Sequence, residues 1–224
     1  ALRSALAAQS VVYSLMLPIR YDAPYWTAHQ LVQQGVIGEP YLITGQKSYK
    51  WGNRRPDWYA DPAQYGTTMA WVGIHAFDYA RWVSGVDYAD VFAYHANLVH
   101  RERPGCQDVA TVIARLTNGG SATFNLDFLR PEAAATHGDD RLRVVGARGV
   151  LEVRDTATRL HVITPEGDVP AWPLVQPGRA LFGDFLAAVE GRGELLVTAE
   201  EALSISAFAI QAARAADTGQ PLSL

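Results

Sequence analysis

Residues 69–83, MAWVGIHAFDYARWV, carry two different faces when wound as a helix. At ~100° per residue, Met69, Val72, Gly73, Ala76, Ala80 and Val83 fall in one apolar sector, and Trp71, His75, Asp78 and Trp82 fall in the other. A helix that only has to pack sets Lys and Glu on its outer face. An imidazole, a carboxylate and two indoles there predict the wall of a pocket.

The pattern along the rest of the chain predicts an α+β fold. Residues 1–8 read as the last turns of a helix, and residues 11–17 as a strand of β-branched and aromatic side chains. Residues 21–34 have helical spacing through Trp26, Ala28, Leu31 and Val32, with Gly35 placed as a C-terminal cap. Residues 40–49 read as a strand. Residues 50–65, rich in Gly, Pro, Arg and aromatics without a period, read as a long loop of the kind that often carries function. Beyond Gly85, strands are expected at 91–98, 108–116 and 121–129, with Asn118-Gly119-Gly120 as a hairpin turn, then at 141–145, 149–154 and 159–163. Helices at 181–190 and 199–218 close the chain. Strands in succession with helices grouped at both ends predict a largely antiparallel open sheet with helices packed on one face.

A chain of 224 residues with 49% hydrophobic content can bury a full core. Residues 11–224 are read as one domain, and residues 1–10 as the end of a preceding region or a linker helix. The net charge of -4 argues against binding nucleic acid or a membrane surface, both of which need clustered Lys and Arg, and favours a small-molecule ligand. Cys106 is the single cysteine, so no disulfide framework exists and a cytoplasmic location is expected. No apolar run approaches the ~20 residues needed to span a bilayer as a helix.

An ordered set of short motifs runs through most of the chain: Arg20-Tyr21 and Pro24, then Gly35-Val36-Ile37-Gly38, then Gly66 through Gly73-Ile74-His75 to Asp78, then Trp82 and Gly85. It resembles the substrate domain of the glucose-fructose oxidoreductase and inositol dehydrogenase family. Gly146-Ala147-Arg148-Gly149, followed by Val150-Leu151-Glu152-Val153, is similar to that family's later glycine-bracketed strand turn. Single pieces such as GxIG or HxxD occur by chance; the ordered set is specific for the fold and less so for the reaction.

The resemblance implies a two-domain oxidoreductase acting on a sugar, cyclitol or related polyol. An N-terminal dinucleotide-binding domain would hold NAD or NADP, and this chain would supply the substrate side of the cleft. The sequence contains no GxGxxG opening a βαβ unit, so nothing in it cradles a pyrophosphate. The family's Glu-Lys-Pro segment, whose lysine assists proton transfer, would lie upstream of Ala1. The chain is therefore read as the C-terminal domain of a longer dehydrogenase, inactive by itself. The alternative is a non-catalytic ligand-binding or oligomerisation domain that has kept the fold and lost the chemistry.

Chemistry makes His75 the leading catalytic candidate. Moving a hydride to or from a carbinol carbon requires the hydroxyl proton to leave or arrive with it, so a group titrating near neutrality must lie within hydrogen-bond reach. Asp78, one turn on, is expected to orient the ring or raise its pKa; capping or solvent exposure are the other readings. Trp71 stands where many members of the family carry an aspartate four residues before the histidine. It is expected either to stack on a sugar face or to fill core volume.

In the loop, Lys50, Arg54, Arg55 and Asp57 are candidates for hydrogen bonds to hydroxyls or a carboxylate, and Trp51, Trp58 and Tyr59 for stacking on a pyranose. The competing reading is a surface loop pinned by its own aromatics. Arg20, at a predicted strand end, is a candidate ligand contact or a structural ion-pair partner. His137, Asp139 and Asp140 look more like a solvated polar turn than a metal site, and no metal is expected. Val109, Thr111, Ile113, Thr123 and Leu129 make the second sheet face too apolar to be wholly solvated. In the family that face makes dimers or tetramers, so a homo-oligomer is expected.

Overall fold

The computed structural model describes residues 2–9, 11–52 and 55–224. Six α-helices occur among them: α1 (Leu2–Ala7), α2 (Ala23–Gln33), α3 (Pro62–Tyr65), α4 (Ile74–Ser84), α5 (Leu181–Val189) and α6 (Ala199–Thr218). The strands are β1 (Pro40–Lys50), β2 (Tyr88–Ala96), β3 (Val109–Leu116), β4 (Ser121–Arg130), β5 (Gly138–Gly146), β6 (Val150–Arg154), β7 (Arg159–Thr164), β8 (Gly167–Val169) and β9 (Leu222–Ser223). They form one open sheet in the order β8-β7-β6-β5-β1-β4-β3-β2-β9. The expected α+β architecture is present, with one refinement: β1 pairs parallel with β4, while the other ladders among the described residues are antiparallel.

Period-two alternation decides which face is covered. Along β3 and β4, Ala110, Val112, Ala114, Leu116, Ala122, Phe124, Leu126 and Phe128 are buried, and the residues between them lie on the open side. Leu142, Val144, Leu151, Val153, Leu160 and Val162 continue the buried face through β5, β6 and β7. Helices α2, α4 and α6 cover it, so one core runs between a sheet layer and a helix layer. Two glycines serve this packing: Gly85, at φ 70°, lets the chain leave α4 in a left-handed conformation, and Gly73 lets the helix approach the sheet, since a Cβ there would lie 2.7 Å from Leu126 Cδ1.

The structure corrects three expectations. Residues 11–17 form no strand; the segment has no regular structure and is held by a hydrogen bond from Ser14 Oγ to the Val197 carbonyl, with Val11, Val12 and Met16 exposed. Its β-branched composition gives strand propensity, but β8 and β9 close the two sheet edges and no ladder partner is offered. Residues 69–83 are not a uniform helix: Met69–Gly73 winds as a π turn before α4 begins. That turn breaks the 3.6-residue phase on which the two-face reading rests. Third, the short edge strands β8 and β9 carry no alternating pattern and were not expected.

Candidate functional site

The π turn and α4 separate the four residues that the helical wheel groups together. Trp71 is 47% exposed. His75 is half-buried one turn further on, and both line a cleft of about 510 Å³ together with Ile74, Lys47, Tyr49 and Asp140. Trp82 faces elsewhere, stacked on His29 with ring centroids 4.1 Å apart. Asp78 points inward and is 2% exposed.

Asp78 does not pair with His75. Arg20, from the 3-10 turn Pro18–Tyr21, reaches it with both ends of its guanidinium, Nε to Oδ2 at 3.0 Å and Nη2 to Oδ1 at 2.6 Å. Arg20 Nη1 also donates to Glu201 Oε1 at 2.8 Å and to the Leu196 carbonyl at 2.9 Å, which ties α4 to the start of α6. Burial works against the charge on Arg20, but Asp78 and Glu201 outweigh it and leave the guanidinium more basic than usual. Burial pushes the Asp78 carboxyl up while Arg20 pulls it down, and the two-point geometry decides the balance in favour of an ion pair. Arg20 thus takes the structural role, with no donor turned toward the cleft.

The loop residues divide in the same way. Lys50 Nζ donates to the carbonyls of Glu132 and Ala134. Arg55 donates to the carbonyls of Trp51 and Lys50 and to Tyr59 Oη, with its guanidinium carbon 4.6 Å from the Phe128 ring centroid. Trp51 stacks on His100 at 3.9 Å, and Asp57 pairs with Arg103 at 3.0 Å. These side chains pin the loop through a second apolar cluster built on Tyr59, Tyr65, Val72 and Phe128. Trp58 packs against Trp71 at the rim, with ring centroids 5.2 Å apart, and does not line the cleft. Arg54 lies outside the described residues.

Lys47 and Asp140 enter as cleft residues that sequence reasoning did not single out in that role. They stand opposite each other in the antiparallel ladder of β1 and β5, with Nζ donating to Oδ2 at 2.7 Å. Both occupy the face that carries Ile43 and Leu142 in the core, one step past the last apolar pair. Alternation within each strand marks them as inward-facing, yet only the strand pairing joins them. His137 and Asp139 diverge from Asp140: His137 stacks on Tyr49, and Asp139 pairs with Arg141 and Arg130.

Burial, and then the neighbouring Lys47 ammonium, lower the pKa of His75 from 6.5 to about 4. The ring is therefore neutral at physiological pH, and its buried Nδ1 has no hydrogen-bond partner. The expectation of a group titrating near neutrality is not met: the neutral imidazole beside the open cleft can accept a hydrogen bond from a bound hydroxyl, and is a weaker base for its proton than an ordinary histidine. The indole of Trp71, whose Nε1 donates to the Tyr65 carbonyl at 2.6 Å, is fixed in place at the rim. Its exposed face offers an apolar platform of the kind that packs on a sugar ring.

Comparison with known proteins places these features in context. Residues 25–152 match the family model described as the GFO/IDH/MocA C-terminal domain. Myo-inositol 2-dehydrogenase of Thermotoga maritima is 27% identical over 154 residues, covering 66% of this chain and 42% of that protein. A solved oxidoreductase structure from Thermotoga maritima matches all of this chain with a TM-score of 0.94 and 37% identity, and this chain covers 67% of it. A levoglucosan dehydrogenase solved with NADH and levoglucosan shares the fold, with a TM-score of 0.82 at 15% identity over 100% of this chain and 69% of that one. The chain thus spans less than half the length of the curated relative it matches.

Proposed function

Because the chain belongs to the GFO/IDH/MocA C-terminal domain family, we propose that its His75 cleft is the substrate face of an NAD(P)-dependent oxidoreductase acting on a neutral sugar, cyclitol or related polyol. The observation that carries the reading is a half-buried imidazole, held unprotonated, beside a cleft rimmed by a fixed indole. The described residues fit one side of such a site and not the other. The parallel pair β1 and β4 is linked through α4 and an antiparallel hairpin, and among the described residues no glycine-rich turn opens a helix to cradle a pyrophosphate. Residues 1–10 are read as the link to a preceding dinucleotide-binding domain. When bound there, the nicotinamide supplies the hydride chemistry.

Within this reading, His75 accepts the proton of the hydroxyl being oxidised and returns it in the reverse direction. Trp71 orients the ring of the substrate by stacking. Ile74 and Leu15 add apolar surface to the cleft wall. The test is nicotinamide absorbance of the full-length protein across a panel of sugars and polyols that includes myo-inositol. Reduction of the cofactor by one class of polyol supports the proposal, and silence across the panel by a folded protein overturns it.

A second reading rests on a specific observation: among the described residues no carboxylate partners His75, since Trp71 stands in the family's acidic position and Asp78 is committed to Arg20. A non-catalytic ligand-binding domain would bind polyols without turnover, which the same panel separates by calorimetry.

The proton affinity of His75 has its own consequence. Its imidazole is expected to stay neutral in an NMR titration until about pH 4, and a midpoint at 6.5 or above would contradict the role given to Lys47 and burial. The unfolded chain takes up this proton at about pH 6.5. Between these values the unfolded state binds more protons, so this group lowers stability as pH falls through that window.

The open sheet face is assigned to contact between copies of this chain. Tyr94 and Ile113 are exposed near one another there at 64% and 48%, and Leu129 at 41% extends the apolar face further along β4; exposed apolar surface of this kind suits an interface. Light scattering is expected to show a dimer or tetramer, converted toward monomer by Ile113→Asp combined with Leu129→Asp. A monomeric wild-type protein would remove the assignment.

A further inference from the structure

A buried ammonium beside a ligand cleft normally attracts anions, and here that attraction is cancelled from within the fold. Lys47 is 1% exposed and Asp140 is 18% exposed. Their registry across β1 and β5 holds Nζ and Oδ2 at 2.7 Å, and the Lys47 ammonium also lies 4.8 Å from the Tyr49 ring centroid. The second carboxylate oxygen, Asp140 Oδ1, is buried without a hydrogen-bond partner. Unpaired buried acceptors are uncommon, because each forfeits its hydration, and such a group calls for an explanation at the site it borders. The residue that carries it lines the same cleft as His75.

We propose that Lys47 and Asp140 are a specificity-determining pair that makes the His75 cleft selective for uncharged ligands, Asp140 neutralising Lys47 so that neither an acidic nor a basic sugar gains over a neutral one. The inference rests on the substrate-face reading above and extends it to residues that need not touch the reacting carbon. A pair that served only to hold β5 against β1 would satisfy both carboxylate oxygens and would sit in an apolar surround. This one leaves an oxygen unpaired and stands on the cleft wall. Asp22, at the entry to α2, is the other carboxylate that feels both charges. Burial is the main cause that raises its carboxyl pKa, Asp140 adds to the rise and Lys47 opposes it, and Asp22 does not line the cleft.

The pair makes opposite predictions for its two halves. Removing Asp140 leaves a positive charge facing the ligand, and removing Lys47 leaves a negative one. At a few ångströms and an effective dielectric near that of a protein surface, either change exceeds the roughly tenfold effect that binding measurements resolve easily.

The experiment measures binding of three probes of one ring shape, D-glucose, D-glucuronate and D-glucosamine, to the full-length protein by calorimetry at mildly acidic pH. Asp140→Asn is expected to raise the preference for glucuronate over glucose about tenfold or more. Lys47→Gln is expected to raise the preference for glucosamine over glucose by a similar factor. The double variant, uncharged on both sides, is expected to return to the wild-type order. If a folded Asp140→Asn or Lys47→Gln variant keeps wild-type probe preference, the specificity role is wrong and the pair is structural. If one single variant fails to fold, the other and the double variant still decide the outcome. A folded wild-type protein that binds none of the three overturns the substrate-face reading for pyranoses, and the inference with it, which differs from wild-type binding with unchanged selectivity.

Discussion

Replacing Asp78 by alanine is expected to destabilise the fold by about 3–5 kcal/mol, the range for removing one partner of a buried ion pair. The reason is the uncompensated charge left behind. Arg20 is 2% exposed and directs three hydrogen bonds at carboxylates, two of them at Asp78. Without Asp78 it keeps only Glu201, at 31% side-chain exposure, and the Leu196 carbonyl. The loss also loosens the join between α4, α6 and the 3-10 turn before α2, so the effect reaches the elements that carry His75. Denaturant unfolding of the two proteins measures it directly. A difference under about 1 kcal/mol would mean that the ion pair is replaced by solvent with little penalty, as at a surface site. Replacing Arg20 by Met and Asp78 by Leu together is expected to recover much of the loss, because no charge is then stranded.

If the proposed function holds, replacing His75 by alanine is expected to do the reverse: little change in stability and a fall in kcat of the full-length protein by about 10²–10⁴, the usual contribution of a positioned general base. The ring is half-buried and its Nδ1 has no protein partner, so its removal breaks no hydrogen bond. The measurement is steady-state nicotinamide absorbance on whichever polyol of the panel is turned over. Wild-type turnover by His75→Ala would remove the histidine from the chemistry while leaving the cleft as a binding site. A drop in kcat accompanied by a comparable loss of folding stability would point instead to a packing role. The two substitutions therefore test opposite ends of one helix: Asp78 acts through the core and His75 through the cleft.

That contrast shows how far linear pattern reaches at this site. At 100° per residue the two side chains share a sector, and the sequence alone predicts that they cooperate. The π turn over Met69–Gly73 shifts Trp71 against them but leaves their own spacing intact; what parts them is that α4 is enclosed on nearly every side, with Ile74, Ala76, Phe77, Asp78, Tyr79, Ala80 and Val83 buried. An enclosed helix has no outer face on which polarity reports solvent or ligand. Asp78 is polar because Arg20, 58 residues away, waits inside the core. The loop tells a similar story. Its aromatic and basic residues look like a ligand-binding set, yet Arg55 spends its donors on the carbonyls of Trp51 and Lys50 and Trp51 stacks on His100.

What the sequence determined by itself is the part of the fold governed by short-range regularity. Alternation along β3 and β4, the Asn118-Gly119-Gly120 turn between them, and the helical spacing of α2, α5 and α6 follow from periods of two and 3.6 residues and from turn chemistry. Those signals lie within a dozen residues of one another, and the ordered motifs that carry the family resemblance are equally local. Only the tertiary structure decided which polar residues meet. The parallel placement of β1 beside β4, the pairing of Lys47 with Asp140 across β1 and β5, and the capture of Asp78 by Arg20 all join positions far apart in the chain. Polar side chains buried in a core are satisfied by whatever the topology brings within about 3 Å. Composition and spacing do not encode that neighbour, and at this cleft the neighbour decides which residue is chemistry and which is scaffold.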